Sequence, residues 1–113
     1  MLSIDSLRVF GANPDEGISR CMGNEGFYLR MVKLAYADAN FDSLAEAVER
    51  DDLDAAFEAA HALKGVLANL ALTPICEPVS ALTEQLRQRT PGDYQPQVEE
   101  ILALRSVLRA LDD

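Results

Sequence analysis

Histidine is almost missing from this chain: there is one, at position 61, in 113 residues. A single histidine with two separated cysteines, Cys21 and Cys76, cannot assemble a zinc site, so no metal is expected. Both cysteines sit in apolar helical contexts, where free thiols behave as small hydrophobes. One Cys21–Cys76 disulfide is the alternative, although no disulfide-rich secreted pattern is present. Positive charge is also scarce, with 10 Lys and Arg against 19 Asp and Glu and a net charge of -9. The basic residues are scattered and form no stripe or run, which excludes nucleic acid as a partner. The acidity serves solubility. The N-terminus lacks a basic region followed by an apolar run, so no signal peptide is expected. No apolar stretch approaches the length that spans a bilayer. The expectation is a cytoplasmic protein with no membrane contact. Alternating runs of β-branched residues are absent as well, which removes the usual signature of a sheet.

What remains is rich in alanine, leucine and glutamate, all good helix formers. With 49% hydrophobic residues the chain is not globally disordered. Its length suits one domain, residues 1–113, able to bury roughly two-thirds of its unfolded surface. The fold class expected is all-α.

Along the chain, Leu2, Ile4, Leu7 and Phe10 recur at loose helical spacing, and Gly11 ends that segment. Asn13 can cap a second short helix, with Pro14 at its first position and Asp15 and Glu16 at the positive end of its dipole. Gly23 is the expected stop. A third helix opens at Asn24-Glu25 with one wide apolar face: Phe27, Tyr28, Met31, Val32, Leu34 and Ala35. Asp38-Ala39-Asn40 breaks or bends it before Phe41, Leu44, Ala45 and Val48 continue. The aromatic stripe Phe27, Tyr28, Tyr36 and Phe41 reads as core. Asp51 or Asp52 caps a helix expected over Leu53–Leu72. Thr73 caps the next, with Pro74 at its start and Ile75, Val79, Leu82 and Leu86 inward. That helix fades at Gln88-Arg89-Thr90, and Pro91-Gly92-Asp93 is a loop. A last helix runs to about Leu111 with Val98, Ile101, Leu104, Leu108 and Leu111 in register. Helices joined by short loops predict an antiparallel four-helix bundle over about residues 24–111, with one or two short additional N-terminal helices.

His61 falls in the middle of the fifth segment. At about 100° per residue, its side of the helix carries Asp54, Phe57, Glu58, Lys64, Gly65, Ala68 and Leu72. The opposite side carries Ala56, Ala59, Leu63, Val66 and Leu70 and is the expected core face. His61 therefore points away from the bundle centre. Lys64, at i+3, can reach a group attached to the imidazole. Gly65, at i+4, costs about 0.5–1 kcal/mol relative to alanine in mid-helix. There it leaves the ring uncovered, and Ala68 extends the clearing by a turn. Glu58, at i-3, either sets the ring's tautomer through a hydrogen bond or is simply solvated. Thr83 on the following helix is a candidate second group facing the site. Phe57 and Leu72 form either an apolar collar for a docking partner or part of the packing against a neighbouring helix. A nucleophilic imidazole, an adjacent cation and a clearing suit reversible phosphorylation of His61. With no Gly-rich phosphate loop, no paired acids at a metal site and no nucleotide pocket, another protein must deliver and remove the phosphoryl group.

His61-Ala62-Leu63-Lys64-Gly65 resembles the His-x-Leu-Lys-Gly signature of histidine phosphotransfer (HPt) domains. Asp15-Glu16-Gly17-Ile18 and Arg20 through Tyr28 resemble the family's N-terminal segment. Asn69-Leu70-Ala71-Leu72 is similar to its Asn-Leu-Gly-Leu continuation, so the likeness spans about residues 10–110. The resemblance implies a monomeric four-helix bundle that is a phosphocarrier and not an enzyme. His61 would be the phosphorylated residue, Lys64 the phosphoryl-stabilising lysine and Gly65 the access glycine. It implies as partners the receiver domains of response regulators, a sensor histidine kinase, or both, the receiver supplying the Mg²⁺ and this chain needing no cofactor. Leu67 stands where many members have alanine, expected toward the helix flank, and Ala71 where many have glycine. Two other readings remain. One is a binding module of the same fold that docks a signalling partner through the His61 face without phosphorylation. The other is the phosphoacceptor part of a histidine kinase, disfavoured by Ala62 after the histidine and by the absence of a nearby proline and of an ATP-binding domain.

Overall fold

A computed structural model describes residues 1–113, with seven helices and no strand. They are α1 (Ile4–Phe10), α2 (Pro14–Arg20), α3 (Glu25–Tyr36), α4 (Asn40–Glu49), α5 (Leu53–Asn69), α6 (Thr73–Arg87) and α7 (Gln95–Ala110). Helices α4 to α7 close a ring in which each packs on the next and α7 returns to α4. This is the expected antiparallel four-helix bundle, but its ring starts at Asn40 and not near residue 24, because α3 packs outside it against α7. Helix α3 adjoins α7, and α1 and α2 lead into it as the additional N-terminal helices. No helix is long and apolar enough to cross a membrane.

Local chemistry explains the boundaries. Asn13, Asn24 and Asp52 each accept a bond from a backbone N–H in the first turn of α2, α3 and α5. The bend at 37–39 separates α3 from α4. Along α6, Ile75, Val79, Leu82 and Leu86 are all fully buried, as their spacing predicts. Both cysteines are free thiols, which removes the disulfide alternative.

Several expectations need correction. The apolar face of α3 is split in two. Tyr28, Val32 and Ala35 are buried, whereas Phe27 and Leu34 are exposed on the other flank. Two sets at the same helical period lie side by side, and only one meets the bundle. The buried face of α5 is Ala56, Ala59, Ala60, Leu63 and Leu67, with Val66 only half-buried. Leu67 is therefore in the core and not on the flank. Thr73 is not a cap: Leu72 holds the N-cap position, without a side-chain bond, and Thr73 is the first helical residue. Helix α2 ends at Arg20, three residues before the expected stop at Gly23.

Helix α5 also stops three residues early, at Asn69. Its end is a Schellman motif: the Leu72 N–H donates to Leu67 O at 3.0 Å and the Ala71 N–H to Ala68 O at 3.1 Å. Ala71 supplies the left-handed residue, at φ 55°. Leu72 then turns inward and is fully buried with Leu67. The N-terminal helices are anchored at this junction. Asn13 N–H donates to Ala71 O at 3.0 Å, and the Tyr28 hydroxyl donates to Leu70 O at 2.9 Å. Burial pushes the Tyr28 phenol up to about 12, so it stays a neutral donor. Gly17 is required here, because a Cβ would stand 2.3 Å from Tyr28 Cε1 and 2.7 Å from Leu70 O.

An alanine at a left-handed position carries a steric cost that glycine does not. Ala71→Gly is expected to stabilise the protein by about 0.5–1 kcal/mol. The corresponding rise in melting temperature is about 2–5 °C, read by thermal denaturation followed by circular dichroism. A fall would show that the Ala71 methyl, itself buried, contributes more than the strain removes.

Candidate functional site

The site follows from the one-sided burial of α5. With Ala56, Ala59, Ala60, Leu63 and Leu67 facing the core, His61 is carried to the opposite side and is exposed. Its ring makes no hydrogen bond to the protein. Phe57, one turn earlier, stacks its ring on it with centroids 5.5 Å apart and planes 18° from parallel. Phe57 is half-buried and is flanked in turn by two guanidinium groups. Arg89 lies 4.5 Å and Arg87 5.1 Å from its ring centroid, so it is a packing surface for the site and not a free collar. Arg89 is fastened by Asp54, Nε to Oδ1 at 2.6 Å.

Lys64 is half-buried by its stem, and its ammonium donates to Glu84 Oε1 at 3.3 Å, bridging α5 to α6. Glu84 also accepts from Arg87, from Nε at 3.0 Å and from Nη2 at 3.4 Å. The Arg87 guanidinium and then the Lys64 ammonium hold the Glu84 carboxyl below its ordinary pKa, so it stays ionised at neutral pH.

Gly65 is exposed, and a Cβ built there meets nothing within 4 Å. Nothing inside the protein calls for a glycine at that point. Ala68 is exposed two turns past His61, on a groove of about 370 Å³ between α2 and the α5–α6 turn, with Glu16, Arg20, Cys76 and Ser80 among its walls. The Ala68 carbonyl, at the negative end of α5, accepts from Arg20, which is also paired with Glu16.

Three candidates fall elsewhere. Glu58 is exposed and makes no hydrogen bond or ion pair, which is the solvated of its two readings. Thr83 does not face the site: it is fully buried, and its hydroxyl donates to Val79 O at 2.7 Å within its own helix. Leu72 is not a docking residue, because the turn at Ala71 takes it off the α5 surface and into the core.

Sequence reasoning missed Glu84, Arg87 and Arg89. The first two lie on α6, and their closeness to α5 depends on how the helices pack. Glu84 shares the face of Arg87 at i+3, a signal available in the sequence. Arg89 lies beyond the end of α6 at φ 53°, where a helical projection no longer applies. The cluster brings one exposed imidazole together with three cations and two carboxylates at a bare helix surface. It suits the binding of an anionic group on or near the ring.

Gly65→Ala should raise the unfolding free energy of the isolated protein by about 0.5–1 kcal/mol, because the methyl enters open space on a helix. A urea titration measures this. Destabilisation would show that the glycine answers an internal need.

A family model described as Hpt domain matches residues 31–113. The match takes in α4 to α7 and the second half of α3, and it leaves residues 1–30 outside. No curated protein and no solved structure shows significant similarity to the chain.

Proposed function

The chain belongs to the Hpt domain family, and from that premise we propose that His61 is the residue that carries its phosphoryl group. Hpt domains are phosphocarrier modules of phosphorelay signalling, and they interact with receiver domains and kinases. In the proposed reaction a phosphorylated receiver aspartate, or a kinase phosphohistidine, is the donor. The lone pair of a His61 ring nitrogen forms the new N–P bond. The donor's bond to phosphorus breaks, and its electron pair stays with the donor carboxylate or imidazole. The second ring nitrogen keeps its proton or releases it to solvent. Transfer to a receiver aspartate runs the same step in reverse.

The observation that carries this reading is Gly65. A mid-helix glycine that faces only solvent weakens the free protein, and its use is to let another chain's backbone approach the His61 ring. The exposure of His61 and the presence of Lys64 one turn on support it. Lys64 is proposed to offset charge on the phosphoryl oxygens. The groove beside Ala68 offers further surface to the same partner. Residues 1–113 are proposed to act as one unit, in the cytoplasm and as a monomer. Support for the single unit comes from a core that joins Leu2 and Leu7 to Ile101 and Leu108.

Incubation with a radiolabelled phosphoreceiver or an active kinase is expected to label the protein in an acid-labile way. His61→Gln should abolish labelling with no loss of helix content. Labelling that persists in His61→Gln overturns the assignment. A parent protein that binds receivers but is never labelled identifies a docking module of the same fold.

A further inference from the structure

The Lys64 ammonium is already engaged before any phosphoryl group arrives. Its partner, Glu84 Oε1, lies 3.3 Å away, and both side chains are substantially exposed. Ion pairs of this kind are weak and exchange readily with solvent and competing anions. Glu84 has a second partner. Arg87 donates to both of its oxygens, so the carboxylate keeps a cation when Lys64 leaves. Release of Lys64 therefore strands no charge.

We propose that Glu84 sets how firmly His61 holds its phosphoryl group, by competing with that group for Lys64. The inference rests on His61 being the phosphorylated residue. In the unmodified protein Lys64 is held on α6 by Glu84. Once the N–P bond has formed, three phosphoryl oxygens and one carboxylate contend for the same ammonium. The stronger Glu84 pulls, the less Lys64 stabilises phosphohistidine and the more readily the group departs. A carrier must hold the group long enough to meet its partner and still give it up. An exposed pair of modest strength suits such a balance better than a lysine held only by solvent.

A small-molecule donor tests this without a protein partner. Phosphoramidate transfers its phosphoryl group to a ring nitrogen: the imidazole lone pair forms the N–P bond, and the P–N bond of the protonated donor breaks. Ammonia departs with that electron pair and takes up the proton that the imidazolium gives to solvent. The half-life of the product is then followed by ³¹P NMR after the donor is removed. Departure of the group passes through a loose, metaphosphate-like transition state. The oxygens give up negative charge there, so an ammonium on them favours the bound state.

Glu84→Gln keeps the size of the side chain and is expected to lengthen the half-life about three- to fivefold, the scale of one exposed ion pair. Lys64→Ala should shorten it. In the Lys64→Ala background, Glu84→Gln should change nothing further, because the contested ammonium is gone. The proposal is overturned if Glu84→Gln leaves the half-life of the parent unchanged. It is equally overturned if the lengthening is just as large without Lys64, since Glu84 would then act only as a nearby charge. A parent protein that phosphoramidate never labels at His61 overturns the phosphocarrier reading, and this one with it. Unchanged half-lives on a labelled parent overturn this proposal alone.

Discussion

One helix gripped on one side only is the constraint on which the rest depends. Helix α5 presents Ala56, Ala59 and Ala60 to its neighbours, with Leu63 and Leu67 below them. Small residues let α4 and α6 approach closely, and the two leucines fill the centre. Because that face is committed to burial, everything half a turn away must be exposed. His61, Gly65 and Ala68 owe their exposure to the packing of the other face of their own helix. The same constraint explains how a mid-helix glycine is tolerated: it weakens a helix whose position is secured by tertiary packing and not by propensity.

The end of that helix is the second control point. Where α5 closes through Ala71, three backbone carbonyls, of Ala68, Leu70 and Ala71, are taken up by Arg20, Tyr28 and Asn13. The N-terminal segment thus satisfies carbonyls at and just beyond the C-terminus of α5. It also builds one wall of the groove next to the site. This gives residues 1–30 a structural part in the surface around His61, although the family match begins after them.

At the site, electrostatics are arranged without deep burial. Asp54 holds Arg89, Arg89 and Arg87 cover Phe57, and Phe57 stacks on His61. Glu84 joins Arg87 to Lys64. Each contact is individually modest and solvent-screened. A surface of that kind suits brief encounters with partners better than permanent assembly. Within a chain of net charge -9, these cations form a local exception around the one imidazole.

The all-α class, the inward residues of α6 and the outward direction of His61 were legible from composition and helical period. Each depends only on which side chains share a face of one helix. The spacing of His61, Lys64 and Gly65 was legible for the same reason. Projection failed wherever the backbone left the helix. Leu72 was placed beside His61 by a rotation that stops at Asn69, and Arg89 could not be placed at all. It failed again where two apolar sets share a helix, as with Phe27 and Leu34 on α3, because only the neighbours decide which set is covered. Thr83 lay on a face that the packing buried, and Glu84 became a partner of Lys64 only when α6 came alongside α5. Periodicity within a helix is a one-dimensional property and was enough to place His61, Lys64 and Gly65 on one outward face. Which groups surround it, and which cation is already engaged, depends on distances between helices, and those exist only in the assembled bundle.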